Sequence, residues 1–205
     1  MIALYVLVEF LCGALMFSYW LGLAVKKDLF QEGDGNPGAY NLWHTAGYRL
    51  GLLGVALDFL KGFFPLALFI RSGLVAGWAV VPVAIAPVLG HAFSPFLRGR
   101  GGKAIAVTFG VWSAVTAFEA SLVYAVLLAL YSASAKLLSR GKPIPSDIDG
   151  FAAVMGIALM GVYLVVRAFP PPILLLWLLN ALLLAFTNRM KIRGFFKLVL
   201  FKNHE

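Results

Sequence analysis

Long apolar stretches alternate with short polar ones along this chain, and the lengths of the apolar stretches predict its elements. Residues 1–25 are apolar apart from Glu9 and, at 1.5 Å per helical residue, can cross a hydrocarbon layer about 30 Å thick. Residues 50–70 form a second such stretch, with Asp58 and Lys61 near its start, and Arg71, Ser72 and Gly73 close it. Residues 74–97 form a third, which Pro82 and Pro87 are expected to kink. The run 104–138 would be roughly 50 Å long as one helix, too long for a single crossing. A turn is therefore expected near Thr116 to Glu119, where the run's one acid is flanked by Ser113, Thr116 and Ser121. Residues 139–149, with Gly141, Pro143 and Pro145, read as a connector. Residues 151–166 and 173–186 make the last two spans, separated by Arg167 and the prolines 170–172, and a basic tail follows from Arg189. The pattern predicts an all-α, polytopic integral membrane protein of about seven transmembrane helices, some short, forming one domain over residues 1–205.

Composition agrees with a membrane environment: 61% of residues are hydrophobic, 13% are charged, and the mean hydropathy is +0.90. The lone Cys12 lies inside the first apolar run and excludes a disulfide within the chain. No Lys or Arg precedes that run, and Phe10 and Leu11 before Cys12 lack the small residues of a cleavage site, so it reads as a retained span and not a signal peptide. Charge then sets orientation. With seven spans and the N-terminus outside, all of the 17 Lys and Arg residues fall on the inner face except Arg71, Arg167 and the intramembrane Lys61. A six-span count destroys this asymmetry. The C-terminus is expected in the cytoplasm, and the net charge of +8 is mainly a topology signal, with attraction to anionic lipid second. The basic residues are scattered over short loops, which excludes a nucleic-acid surface.

Two glycine-rich segments would then share the cytoplasmic face. The first, residues 32–41, is the most polar loop of the chain and holds Gly33, Gly35 and Gly38 among two acids and two asparagines; such a backbone can turn its amides toward one point. The second joins Arg98, Arg100 and Lys103 to Gly101 and Gly102 at the start of a helix, where free amides, a helix dipole and cations would receive a phosphate. The competing reading is a tight turn whose cations only fix orientation. The spacing Gly33-x-Gly35-x-x-Gly38 matches a dinucleotide fingerprint, but no strand or βαβ unit surrounds it. Asp58 and Lys61 share a helical face, as a structural ion pair or as a substrate contact. Glu9 and Glu119 are either buried acids or interfacial ones, and His91 is either a proton carrier or a hydrogen-bonded packing residue. No acid, His or Cys cluster has metal-ligand spacing, and no nucleophile elbow is present.

Three blocks resemble the bacterial membrane glycerol-3-phosphate acyltransferases that use acyl phosphate as donor. They are Gly-Asp-Gly-Asn-Pro-Gly-Ala-Tyr-Asn at 33–41, Leu-Asp-Phe-Leu-Lys-Gly at 57–62, and Leu-Gly-His at 89–91 with Phe93, leading into Gly101, Gly102 and Lys103. Their order, their intervals and the seven-span topology are similar to the family's over essentially the whole chain. The resemblance implies acyl transfer from acyl phosphate to the 1-hydroxyl of glycerol 3-phosphate, giving lysophosphatidic acid for phospholipid synthesis in the cell (inner) membrane, with no cofactor, no metal and a monomeric chain among lipids. It implies substrate contacts for Asn36, Asn41 and Lys103 and a phosphate-binding turn at Gly101 and Gly102; the leading reading of the chain adds substrate contacts for Gly35, Gly38, Arg100, Asn188 and Arg189, and catalytic work for Asp34 and His44. Several positions depart from the family pattern. Asp34 stands for its serine, Tyr40 for its threonine, His44 for its arginine and Ala104 for its fourth glycine, and Thr187 and Asn188 replace its Arg-His pair. An aspartate accepts a hydroxyl proton more readily than a serine, yet its charge repels phosphate. The alternatives are an acyltransferase with another acceptor, or a non-catalytic protein that binds a phospholipid or a phosphometabolite. A transporter is disfavoured, because no inverted repeat is visible and intramembrane charges are few.

Overall fold

The computed structural model describes residues 1–139 and 146–201, and among these every regular element is helical. The chain forms two compact units, Met1–Glu119 and Ala120–Glu205. The first contains α1 (Ile2–Ala14), α2 (Phe17–Ala24), α3 (Ala39–Ala46), α4 (Tyr48–Arg71), α5 (Val80–Ala92) and α6 (Ile105–Val115). The second contains α7 (which begins at Glu119 and runs to Ser139), α8 (Ser146–Val166), α9 (Pro171–Thr187) and α10 (Arg189–Phe201).

Small residues set the packing of the first unit. The buried stripe of α4 runs through Gly51, Gly54, Asp58, Lys61, Gly62 and Leu66 at helical spacing. A Cβ on Gly62 would strike the Val107 carbonyl, and one on Gly110 would strike the Phe59 carbonyl, so α4 and α6 meet backbone to backbone. Gly13 and Gly90 do the same for α1 and α5, against Pro87 and Phe10. The segment carrying α5 is the inner one: 67% of the Gly77–Leu97 window is buried, against 28% of Ile2–Ala24. Pro87 lies inside α5, whereas Pro82 falls in its first turn, where the missing N–H costs nothing.

The first apolar stretch differs from the continuous span expected of it. It breaks at Leu15 and Met16, between α1 and α2, without a proline or glycine at the break. The carbonyls released there are satisfied by side chains from elsewhere: Ser94 Oγ donates to Ala14 O at 2.7 Å and Lys61 Nζ donates to Leu15 O at 2.5 Å. The long run does break where the sequence predicts, since α6 ends at Val115 and α7 starts at Glu119, with Ala117 and Phe118 at positive φ between them.

In the second unit, Tyr124 Oη donates to Ala153 O at 2.8 Å and Trp177 Nε1 donates to Ile157 O at 2.7 Å, tying α7 and α9 to α8. Gly156 and Gly161 leave room for Tyr124 and Trp177. Between α9 and α10 the path bends by 64°, and Phe195 of α10 stacks on Phe151 of α8 at 3.9 Å. Among the described residues, five helical segments are long and apolar enough to cross a membrane, or six if the bent α9 and α10 count as one. The remaining expected crossing, α6, has 11 residues and a length of about 16 Å, half a hydrocarbon layer. Most of the connector expected at 139–149 lies outside the described residues.

Candidate active site

The polar loop is shaped by its own side chains before it meets anything else. Asp28 accepts from Phe30 N at 3.0 Å and caps the short 3-10 turn Leu29–Gln31. Gly33 and Gly35 then take φ of +54° and +69°, which a side chain would strain, and Asp34 Oδ1 accepts from Asn36 N at 3.3 Å. Gly38 has φ of −95°; its constraint is space, because a Cβ there would press on Asn36 Nδ2. The buried Asn41 closes the loop, its Nδ2 donating to Glu32 O at 2.9 Å and to Asn36 O at 3.0 Å. Asn41 is thereby committed to the framework of the loop.

This loop, α3, α4, α5 and the start of α6 enclose a cavity of about 490 Å³. Asn36, Tyr40, Trp43 and His44 form one wall; Ile105, Ala106 and Phe109 of α6 face it with apolar groups; Asp58 and His91 lie on its lining deeper in the fold. His44 packs its ring on Tyr40 at 4.6 Å. Lys103, on the cavity lining, pairs with Asp34 of the polar loop, Nζ to Oδ2 at 2.5 Å, with both side chains about one-fifth exposed. The two glycine-rich segments are thus joined by an ion pair between residues 69 apart in sequence.

The second segment holds a correction. Gly101 and Gly102 do not offer free amides to an anion: their N–H groups donate to Ala92 O at 3.2 Å and His91 O at 3.0 Å, closing the C-terminal end of α5. Both must be glycine for another reason, since a Cβ on Gly101 would enter the His91 and Ala92 backbone and one on Gly102 would enter the His91 ring. The N–H groups of this segment with no intrahelical acceptor are those of Ile105, Ala106 and Val107, which lie in the first turn of α6 ahead of the first intrahelical donor, Thr108. The N-cap, Ala104, sits at φ 64°, ψ 16°, the left-handed region in which the glycine of the family pattern is unstrained. Ala104→Gly is accordingly expected to raise the unfolding free energy by about 0.5–1 kcal/mol, the relief of strain exceeding the entropy lost, as a rise in Tm in detergent.

Arg100 is exposed and lies over the Phe30 ring at 4.6 Å, away from the cavity lining. Asn188 and Arg189 belong to the second unit, where they finish α9: Asn188 is buried, with Nδ2 donating to Leu184 O at 2.9 Å, and Arg189 Nη1 donates to Phe186 O at 2.8 Å. Beneath the cavity the sequence undervalued a polar core. Asp58 Oδ1 pairs with Lys61 Nζ at 2.8 Å, Asp58 Oδ2 accepts from Ser18 Oγ at 3.0 Å, and Lys61 Nζ meets His91 Nδ1 at 2.8 Å, all with buried side chains. The i,i+3 spacing revealed Asp58 and Lys61; nothing local in the sequence linked them to Ser18 or His91.

Comparison with known proteins bears on this geometry. The sequence profile of the family described as glycerol-3-phosphate acyltransferase matches residues 3–198. The glycerol-3-phosphate acyltransferase 1 of Thermotoga maritima is 36% identical over 194 residues, 93% of this chain and 95% of that protein. The glycerol-3-phosphate acyltransferase of a Roseiflexus species is 38% identical over 168 residues, 81% of this chain and 77% of that protein. Among solved structures, the crystal structure of PlsY, an integral membrane glycerol 3-phosphate acyltransferase in its glycerol 3-phosphate form, superposes with a TM-score of 0.83 at 25% identity, covering 96% of this chain and 92% of that one. Taken with the membrane helices and the two glycine-rich segments that meet at one cavity, these matches place the chain in the glycerol-3-phosphate acyltransferase family.

Proposed function

We propose that this protein transfers an acyl group from acyl phosphate to the 1-hydroxyl of glycerol 3-phosphate, and that the cavity lined by His44 and by Lys103, with Asp34 paired to that lysine, is where it does so. The observation that carries this reading is the Lys103–Asp34 pair at the opening of the cavity. A phosphate arriving at the start of α6 competes with Asp34 for Lys103 and is received by the first-turn amides. The displaced carboxylate is then available to accept the proton of the attacking hydroxyl. A bond forms between that hydroxyl oxygen and the acyl carbonyl carbon, the bond from that carbon to the phosphate oxygen breaks, and inorganic phosphate leaves with the negative charge. Lys103 stabilises that charge, and His44, held on Tyr40, orients the acceptor. Asn36, Gly35 and Gly38 shape the wall, Asn41 holds the loop together, and Gly101 and Gly102 bring Lys103 to the opening. Arg100, Asn188 and Arg189 are each proposed to attract anionic substrate. The apolar face made by Ile105, Ala106 and Phe109 suits the first carbons of the acyl chain. The basic loops support a cytoplasmic site, and the protein is proposed to work as a monomer within the bilayer.

Purified protein supplied with acyl phosphate and glycerol 3-phosphate is expected to release phosphate and form 1-acyl lysophosphatidate. Asp34→Ala should lower kcat about 100-fold or more, the usual contribution of a general base, while phosphate binding persists. Binding of phosphate with no turnover by the wild type on any polyol phosphate would identify a binder and end the enzymatic reading.

A further inference from the structure

We propose that His91 is a ligand-binding residue of this cavity: its Nε2–H donates to a phosphoryl oxygen seated at the start of α6, and Lys61 holds the ring in the tautomer that allows it. The assignment rests on the acyl-transfer reading only for the source of the phosphate.

A lysine ammonium has three N–H donors and no acceptor. Those of Lys61 point to Leu15 O at 2.5 Å, Asp58 Oδ1 at 2.8 Å and His91 Nδ1 at 2.8 Å. Facing a group that can only donate, Nδ1 must present its lone pair, so the ring proton resides on Nε2. Asp58 offers Nδ1 no alternative, because its nearer oxygen is 3.9 Å away and its other oxygen is engaged by Ser18. The far edge of the same ring is pressed to the Gly102 turn so closely that a Cβ there would collide with Nε2. The side chain is 5% exposed, lies on the cavity lining, and makes no Nε2 hydrogen bond among the described residues. A buried N–H with no protein acceptor thus converges with Lys103 and the first-turn amides of α6. Neutral donors held rigidly by a buried network favour a group whose charge moves during reaction, because they need no reorganisation. Gly102 acquires a second function, since any side chain there would cover the imidazole edge.

Two substitutions separate this role from packing. His91→Asn places an amide oxygen near Nδ1, keeping a partner for Lys61 while removing the donor; His91→Gln places an amide N–H near Nε2. With inorganic phosphate as the probe, His91→Asn is expected to bind roughly 10- to 100-fold more weakly than wild type at near-wild-type Tm, and His91→Gln to bind more tightly than His91→Asn. In protein labelled with nitrogen-15 histidine, the His91 resonances should report an unprotonated Nδ1 and a protonated Nε2, and phosphate should shift the latter. A protonated Nδ1, an Nε2 unmoved by phosphate, wild-type phosphate affinity in His91→Asn, or equal losses in both variants that track Tm would each overturn the proposal. Acyl transfer is read separately by product formation. A wild type that fails to turn over but keeps the phosphate-dependent His91 shift would remove the reaction and leave this binding role standing.

Discussion

Lys61→Met is expected to lower the unfolding free energy by about 3–5 kcal/mol, because it strands the Asp58 carboxylate in a site almost closed to solvent and removes the donor to Leu15 O. In a chain of this length that corresponds to a fall in Tm of roughly 10 °C. Exchanging both charged groups separates the stranded charge from the lost packing. The double variant Asp58→Asn, Lys61→Met should recover more than half of the loss, since a buried ion pair contributes little net stability over a neutral replacement of similar volume. A Lys61→Met protein with wild-type Tm would mean that Asp58 is not held as a charged partner.

Lys103→Met is expected to reduce kcat/KM by about 100- to 1,000-fold with little change in Tm. Its side chain lies at the opening of the cavity, where water can resolvate Asp34 once the pair is broken, so the stability cost is small. The activity cost is large because the ammonium lines the cavity together with Ile105 and Ala106 of the first turn of α6. Lys103→Arg should recover only part of the activity, since a planar fork cannot reproduce a compact ammonium between Asp34 and a phosphate. Steady-state kinetics alongside thermal unfolding separate the two effects, and a parallel fall in both would assign Lys103 a structural role.

Much of this architecture is legible from hydropathy. The start and end of α4, the division of the long run between α6 and α7, and the span that becomes α9 all follow from apolar length and a local excess of polar groups. The break between α1 and α2 does not, for a physical reason. Leu15 and Met16 carry no helix-breaking chemistry, and the groups that satisfy the opened carbonyls, Lys61 and Ser94, come 46 and 80 residues later. The short reach of α6 is hidden in the same way, because the residue that starts it is an alanine in a glycine conformation.

The site divides along a similar line. Asp34 and Lys103 could be named from their motifs, and a separation of 69 positions proves no obstacle to their meeting. Motif logic misassigned the amides of Gly101 and Gly102, since composition cannot tell a glycine that offers its N–H from one that admits a neighbouring ring. It also left His91 undecided, because the meaning of that residue lies in Lys61 on another helix. For Asp34 the structure sharpens the question raised by the sequence. The carboxylate that departs from the family serine is the partner of Lys103, the lysine proposed to bind phosphate.

The central claim is that Lys103 and the start of α6 receive the phosphate of the substrate in the cavity beside Asp34. The most direct measurement is the position of the phosphoryl group of acyl phosphate, or of inorganic phosphate as its leaving group, in an experimental structure of the complex. The account predicts that phosphoryl group within hydrogen-bonding distance of Lys103 Nζ and of first-turn amides of α6, with the Lys103–Asp34 pair opened. A phosphate bound elsewhere, with Lys103 still closed on Asp34, would contradict it.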